Sequence, residues 1–243
     1  MDEAMRVAVD GPAGAGKSTV AKILAERLGY TYVDTGAIYR ALTLLALREG
    51  IAVDDEDQVA NWLDNVRFHL ELQPKEGQLK VVVNGEDLTA SIRSKEVTDA
   101  VTVMARYPVV RNYLLSEQKR LAANPGVIMD GRDIGTVIMP DADVKFYLTA
   151  SLEERAKRRQ MELAAKGIPC DLVEIKESIA RRDRTDASRA TAPLAVAEDA
   201  ILIDTTGYSI EEVVEQMLNC IAQAREGRTG ALLSHQDNPS CRV

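Results

Sequence analysis

The sequence predicts a doubly wound α/β fold built on a five-stranded parallel sheet. Short apolar runs alternate with amphipathic segments of helical periodicity, which is the pattern of repeated strand–helix units. A glycine-rich loop directly follows the first apolar run, and two later helices open with a Ser-x-x-Glu capping box immediately after a strand. Because crossover helices bury both faces of a parallel sheet, its strands are apolar throughout.

The first two strand–helix units precede residue 50. Arg6–Val9 is the first predicted strand, and it leads through the glycine-rich loop into a helix near Lys17–Leu28. Thr31–Val33 is the second strand, followed by a helix from about Ala37 to Arg48. A glycine follows each helix closely, as expected of a helix stop signal.

The remaining strands of the sheet lie in the second half of the chain. They are predicted at Val127–Met129, Val144–Leu148 and Ile201–Ile203. The capping boxes begin at Ser151 and Ser209, so a helix is expected after each of the last two strands.

The stretch between these two halves has a different periodicity. Val66–Leu72 alternates apolar and polar residues, which predicts a half-exposed strand, and Leu79–Val83 followed by Asn84-Gly85 predicts a hairpin. Helices are predicted near Lys95–Arg106 and Val109–Ala123. We interpret this region as a small antiparallel sheet with helices, inserted into the core and forming a wall of a second ligand pocket.

The loop after the first strand indicates a phosphate ligand. It matches the pattern Gly-x4-Gly-Lys-Ser/Thr. Its residues are Gly11, Pro12, Ala13, Gly14, Ala15, Gly16, Lys17, Ser18 and Thr19. Glycines allow the backbone to aim N–H groups at an anion, Lys17 is placed to reach the β- and γ-phosphates, and Ser18 to ligate Mg²⁺. A glycine-rich turn with a stray lysine is the alternative, but the flanking strand and helix favour a nucleoside triphosphate site.

Composition limits the class of partner. The net charge of −8 and the pI near 5.0 argue against a nucleic-acid polymer as ligand, and no apolar run approaches the roughly 20 residues of a membrane span. Basic residues cluster at Arg155–Arg159 and Arg181–Arg189, which suits small phosphorylated ligands.

Cys170, Cys220 and Cys241 fit no metal-ligand spacing and are expected to be reduced thiols. With no signal peptide at the N-terminus, we expect a cytoplasmic protein, and nothing in the sequence demands more than a monomer.

Arginines are the candidates for a second anion site, because the planar guanidinium grips phosphate bidentately. Arg132 follows a predicted strand at the carboxyl edge of the sheet, where ligands bind in open α/β folds. Asp130 in the same run could hold Mg²⁺ through water, or could cap a turn. Arg40 could lie exposed on its helix, and Arg158 and Arg159 occupy a highly charged helix for which a solvated face is the alternative. Arg182, Arg184 and Arg189 complete the candidates.

Four motifs together resemble the bacterial cytidylate kinase family. They are Gly11–Thr19, Asp34–Arg40, Asp130–Thr136 and Arg189–Leu194, in the family's order, and the resemblance covers roughly residues 5–224. It implies Mg²⁺-dependent transfer of the γ-phosphate of ATP to CMP or dCMP. It also implies a kinase domain at 1–225, with a nucleotide-binding insert at about 66–106 and a helical lid at about 152–190. Residues 226–243 lack periodicity, and we expect a disordered tail there.

The resemblance also implies roles for individual residues. The acceptor's phosphate is assigned to Thr35, Arg40, Arg132 and Arg189; the cytosine base to Thr102, Arg111 and Asp133; the sugar to Arg182 and Asp186; and lid closure over the phosphates to Arg158. Lys17, Arg132, Arg158 and Arg189 are the catalytic candidates. Many family members have Ser where this chain has Thr35.

Other classes of protein fit less well. A GTPase would carry Asn-Lys-x-Asp, which this sequence lacks. A small-metabolite kinase would not need the inserted sheet, and a non-enzymatic ATP-binding regulator would not need the arginine-rich second half. The choice between CMP and dCMP, and between ATP, dATP and GTP as donor, stays open.

Overall fold

A computed structural model describes residues 4–75, 78–165 and 167–230. The strands are β1 (Arg6–Asp10), β2 (Thr31–Asp34), β3 (Leu70–Lys75), β4 (Gln78–Val83), β5 (Glu86–Asp87), β6 (Val127–Asp130), β7 (Val144–Thr149) and β8 (Ile201–Asp204). The helices are α1 (Lys17–Leu28), α2 (Thr35–Arg48), α3 (Glu56–Leu63), α4 (Lys95–Met104), α5 (Pro108–Ala122), α6 (Leu152–Ala165), α7 (Leu172–Ala187) and α8 (Ile210–Gly230). A 3₁₀ turn spans Ser91–Arg93 and a π-helical turn spans Ile134–Ile138.

The main sheet confirms the predicted doubly wound architecture. Five parallel strands are ordered β2-β6-β1-β7-β8, so that β1 lies in the middle with β6 and β7 as its neighbours. Val7 and Val9 of β1 face a core that includes α1 and α8, whereas Ala8 faces a core that includes α2 and α5. Helices therefore cover both faces, and the carboxyl ends of all the strands lie at one edge.

The smaller sheet is antiparallel, with the order β3-β4-β5. The turn between β4 and β5 is the predicted Asn84-Gly85, and both residues have positive φ, 53° and 84°. Leu70 and Val83 are buried in the same core as α2. The small sheet thus packs directly on the parallel-sheet domain.

The predicted start of the first strand of this sheet is wrong. Strand β3 begins at Leu70 rather than Val66, because the side chain of Asn84 takes up the backbone groups before it. Its Oδ1 accepts from the His69 N–H at 3.0 Å, and its Nδ2 donates to the Arg67 carbonyl at 2.7 Å. Val66 therefore packs against the core from outside the ladder.

Helix α2 differs from the sequence prediction at its N-terminus, and helix α3 is an additional helix. Helix α2 begins at Thr35, earlier than the predicted Ala37, because Asp34 caps it by accepting from the Ala37 N–H at 3.0 Å. Helix α3 was not predicted; the side chain of Asp55 caps it by accepting from the Gln58 N–H at 3.1 Å.

The two predicted capping boxes form to different extents. At Ser209 the box is reciprocal: the Glu212 carboxylate accepts from the Ser209 N–H at 2.8 Å, and the Ser209 hydroxyl accepts from the Glu212 N–H at 3.2 Å. At Ser151 only the serine half forms, because the Glu154 carboxylate accepts from Arg158 instead.

The ends of the described chain bear on two further expectations. Helix α8 continues to Gly230, five residues into the segment predicted to be a tail, and residues 231–243 lie outside the described part. Within the described ranges, no helix combines the length and the hydropathy needed to span a membrane.

Helices α6 and α7 form the region predicted to be a lid. Ala156 of α6 and Ile175 and Ile179 of α7 make a small core of their own, separate from the two cores of the main sheet. The lid boundaries at 152–190 stay a prediction.

Candidate active site

The glycine-rich loop between β1 and α1 is a backbone structure that only glycine permits. Gly11, Gly14 and Gly16 have φ of 144°, 79° and 89°. A Cβ on Gly11 would lie 1.9 Å from the carbonyl oxygen of Leu148, so no side chain fits there. Helix α1 has no side-chain cap at Gly16, which leaves its first N–H groups available to an anion. The loop therefore fits the phosphates of a nucleotide.

Lys17 is the buried cation of this loop. Its side chain is 5% exposed, and its Nζ donates to the carbonyl of Pro12 at 2.8 Å. Burial lowers the pKa of Lys17 well below its usual value, and the nearby positive charge of Arg132 lowers it further. An anion bound beside Lys17 would relieve both effects.

Asp130 closes the other side of the loop at the end of β6. One carboxylate oxygen accepts from the Ser18 hydroxyl at 2.7 Å and the other accepts from the Tyr32 hydroxyl at 2.7 Å. Burial raises the pKa of Asp130 to about 6, and the charge of Asp34 adds to this rise. A carboxylate and a hydroxyl in contact are hard oxygen ligands of the kind that Mg²⁺ prefers, so this pair fits the ion. Tyr32 gave no signal in the sequence.

Arginines surround Asp186 near the end of α7. Arg132 Nε donates to Asp186 Oδ2 at 2.8 Å, and Arg189 donates to Oδ1. Burial would raise the pKa of Asp186, but Arg132, Arg189 and Arg182 hold it below its usual range. Burial lowers the pKa of Arg182 to about 10, and the repulsion of Arg132 contributes.

Arg40 of α2 borders the same cluster. Burial lowers its pKa, and the charges of Arg93, Arg159 and Arg132 contribute, although Asp34 opposes them. Its Nη1 donates to the hydroxyl of Thr98 at 2.8 Å. Arg40 therefore does not lie free on its helix, and the cluster carries more positive charge than its acidic neighbours neutralise.

Two of the three predicted base-reading residues, Arg111 and Asp133, are brought into contact. Arg111 Nη2 donates to Asp133 Oδ2 at 2.5 Å, and both side chains are less than 10% exposed. The guanidinium of Arg111 also lies over the ring of Tyr39, 5.6 Å from its centroid. Thr102 lies half-buried on α4, one turn beyond the Thr98 that contacts Arg40. Tyr39 was not predicted.

Thr35 lies at the start of α2, beside the end of β6, and directs its hydroxyl inward. Its Oγ1 donates to the carbonyl oxygen of Asp130 at 2.8 Å, and the residue is 4% exposed. A Cβ on Gly131 would lie 2.7 Å from Thr35 Oγ1 and 2.6 Å from Ile134 Cδ1, so a larger residue there would have to displace these side chains. A phosphate contact through the Thr35 hydroxyl would require that hydrogen bond to be exchanged.

Arg158 lies beside the glycine-rich loop and does not form a solvated face. It donates to the hydroxyl of Thr205 at 2.9 Å and to its carbonyl at 2.7 Å. A Cβ on Gly16 would be 3.7 Å from Arg158 Nη1. Arg159 instead pairs with Glu162 at 2.6 Å and is more exposed, as the alternative reading expected.

Two buried residues of the site carried no sequence signal. Thr205, 2% exposed, donates its hydroxyl toward the Thr149 and Ala15 carbonyls at 3.0 and 3.3 Å, which ties the end of β8 to the phosphate loop. Asp10 accepts from the N–H groups of Ile134 and Gly135 at 2.9 and 2.7 Å. Asp10 directly precedes the phosphate loop, and its two hydrogen bonds connect it to the π-helical turn that follows Arg132 and Asp133.

Fold and site together define a class of protein. A central parallel strand leads into a phosphate loop and a helix, and a cluster of arginines lies at the same edge of the sheet. This is the arrangement of the P-loop kinases, which hold two anionic substrates face to face.

The comparisons with known proteins identify the particular family. The family model described as cytidylate kinase matches residues 7–223, and the chain belongs to the cytidylate kinase family. A cytidylate kinase of Geobacillus sp. (strain WCH70) is 55% identical over 89% of this chain and 96% of its own length. One of Anoxybacillus flavithermus (strain DSM 21510 / WK1) is 52% identical over 93% of this chain and 99% of its own length.

A solved structure supports the fold alone. It is an uncharacterized protein from Eubacterium ventriosum ATCC 27560, superposed with a TM-score of 0.50 at 11% sequence identity. The superposition covers 89% of this chain and 97% of that one.

Proposed function

We propose that this chain is a cytidylate kinase that transfers the γ-phosphate of ATP to CMP or dCMP, giving CDP or dCDP and ADP, with Mg²⁺. The observation that carries the proposal is the cluster of Arg40, Arg132, Arg182 and Arg189 at the edge where Lys17 is buried. Its uncompensated positive charge suits a second phosphate facing the first. The names of its relatives support the choice of nucleotide.

The donor site uses the phosphate loop. Backbone N–H groups of residues 11–19 would hold the β- and γ-phosphates, and Lys17 Nζ would exchange the Pro12 carbonyl for a phosphate oxygen. Ser18, and Asp130 through water, would hold Mg²⁺, which supplies charge neutralisation between the phosphates when it is bound.

The acceptor site uses the arginine cluster. Arg40, Arg132 and Arg189 would grip the phosphate of CMP, with Thr35 beside it, and Arg182 and Asp186 would contact the sugar. An oxygen of this phosphate attacks the γ-phosphorus in line, the bond to the β-phosphate oxygen breaks, and ADP leaves. No base is needed because the attacking oxygen is already ionised, so charge neutralisation and alignment do the work.

Arg111 and Asp133 explain a preference for cytosine. Cytosine offers O2 and N3 as acceptors and an N4 amino group as donor, which complement an arginine and a carboxylate. Uracil would turn a carbonyl oxygen toward Asp133. Since both side chains are buried, the wrong base would leave the hydrogen-bonding groups that their mutual pair does not use unsatisfied, and the site would reject it. Thr102 would add a contact to the base amino group.

We propose further that Arg158 leaves Thr205 and closes over the phosphates, excluding water. The insert at 66–106, the lid at 152–190, a monomeric state and a cytoplasmic location are proposed as well. The free thiol of Cys170 fits a reducing compartment.

A coupled ADP-release assay tests the proposal. With MgATP as donor, we expect CMP and dCMP to be phosphorylated with kcat/KM at least about 100-fold above UMP, AMP, GMP, dTMP and shikimate. A higher rate with shikimate or with AMP would contradict it. Replacing ATP with dATP or GTP, and measuring the dADP or GDP released, determines the donor preference.

A further inference from the structure

Arg155 of α6 is a buried arginine outside the set of proposed substrate contacts. It is 7% exposed and donates to the carbonyls of Ala150 and Ala13, both at 3.0 Å. Its backbone packs so closely on the phosphate loop that a Cβ on Gly14 would lie 3.1 Å from its own Cβ. The alternative of a solvated charged face, considered for this helix, therefore does not apply at Arg155.

The same guanidinium reaches α7. Arg155 Nη1 donates to Asp183 Oδ2 at 2.6 Å. Asp183 Oδ1 is buried and has no hydrogen-bond partner among the described residues. Among the described residues, Arg155 is thus the cation that forms an ion pair with Asp183.

Asp183 lies among the residues assigned to the acceptor. Arg182 precedes it, and Asp186, which holds Arg132 and Arg189, lies one turn further along α7. Ala13, at the other end of the connection, belongs to the donor's phosphate loop. One side chain thus joins the backbone of the donor site to the helix that carries the acceptor site.

We propose that Arg155 and Asp183 are a positioning pair that sets the spacing between the two phosphates. The inference rests on the proposed function, because it names the residues that align that reaction. Holding the Ala13 carbonyl fixes the orientation of a loop peptide, and holding Asp183 fixes the α7 arginines relative to it. In-line transfer is sensitive to a displacement of about 1 Å, which can cost roughly 100-fold in rate.

Steady-state kinetics with both substrates varied test the pair. We expect Arg155→Met to lower kcat about 100-fold and to raise the KM of both ATP and CMP. Asp183→Asn should also lower kcat. The kcat of the double variant should be no more than about threefold below that of Arg155→Met, because the two residues act as a unit. Arg155→Lys keeps a cation for Asp183 but not the planar fork, so it should fold and lose about tenfold in kcat.

The matched controls are Lys157→Met on α6 and Glu177→Gln on α7, both exposed surface residues. They should change kcat by less than about twofold. A folded Arg155→Met or Arg155→Lys with wild-type kcat would overturn the pair, as would losses that multiply in the double variant. Absence of CMP phosphorylation by the wild-type chain would refute the proposed function instead; the ratios of variant to wild type would then be measured with the acceptor that the chain does phosphorylate.

Discussion

Lys17 and Asp130 are oppositely charged residues buried at the same edge of the sheet. Burial lowers the pKa of Lys17 and raises the pKa of Asp130, so it favours the neutral form of each. Burying a charged group costs free energy, and a bound ligand of opposite charge can offset that cost. Both residues therefore mark a functional site. The phosphates of a nucleotide would compensate Lys17, and a cation would compensate Asp130.

Lys17→Ala tests the donor side. Because Lys17 faces the phosphates in our proposal, we expect kcat to fall by at least about 100-fold. Among the described residues, the Lys17 side chain donates only to the Pro12 carbonyl, so circular dichroism should report a folded protein. Lys22→Ala, on the same helix, is the control and should keep its activity. An active Lys17→Ala enzyme would rule out the assignment of the loop.

Asp133→Asn tests the reading of the base. Asparagine can present an amide N–H where the carboxylate accepted from the cytosine amino group, so the ratio of kcat/KM for CMP to that for UMP should fall at least about tenfold. Asp141→Asn, at an exposed ion pair with Arg6, should leave the ratio unchanged. If the ratio for Asp133→Asn equals that of the wild type, Asp133 does not recognise the base.

At the scale of elements, Asp10 joins β1 to the π-helical turn Ile134–Ile138, which follows Arg132 and Asp133 along the chain. Burial raises the pKa of Asp10 to about 6, although the N–H groups of Gly135 and Ile134 lower it. A group with a raised pKa in the folded state binds its proton more tightly there than in the unfolded chain. Its contribution to stability is therefore present at low pH and is lost as pH rises through about 4 to 6.

The pH dependence of unfolding checks this connection. Raising the pH from 4 to 7 should lower the urea-unfolding free energy of the wild-type chain by about 2 kcal/mol relative to Asp10→Asn, which cannot titrate. The measurement is the change with pH in the difference between the two unfolding free energies, because the substitution also alters two backbone hydrogen bonds at every pH. A difference independent of pH would mean that Asp10 has an ordinary pKa in the folded protein.

Sequence patterns predicted the elements better than their ends or their connections. The strands of the parallel sheet appear as continuous apolar runs, and the phosphate loop as a fixed spacing of glycines, so local patterns sufficed. The start of β3 depends on an asparagine 14 residues away along the chain from Leu70, and the roles of Asp10, Thr205 and Arg155 depend on contacts between distant elements. No local pattern contains those contacts. The arginine cluster was predicted because its residues sit in motifs, but its arrangement around Asp186 needed the fold.

At the scale of the whole molecule, the C-terminal helix closes one face of the sheet. Arg225 of α8 donates to the hydroxyl of Tyr30 at 2.5 Å, and the same hydroxyl accepts from the Met5 N–H at 2.9 Å. The helix therefore contributes to the fold at least as far as Arg225.

Truncation tests where the necessary chain ends. A chain ending at Gly230 keeps α8 whole, and we expect its kcat and KM to equal those of the full chain within about twofold. A chain ending at Ala222 loses the Arg225 contact and should unfold at lower temperature. A large loss of activity on removal of residues 231–243 alone would assign them a function.

The central claim is that the arginine cluster, facing the phosphate loop, binds the phosphate of a cytidine nucleotide. The most direct measurement is a crystal structure of the chain soaked with CMP. The account predicts the phosphate against Arg132 and Arg189 and the base against Arg111 and Asp133. Electron density for the nucleotide elsewhere, with this cluster empty, would contradict it.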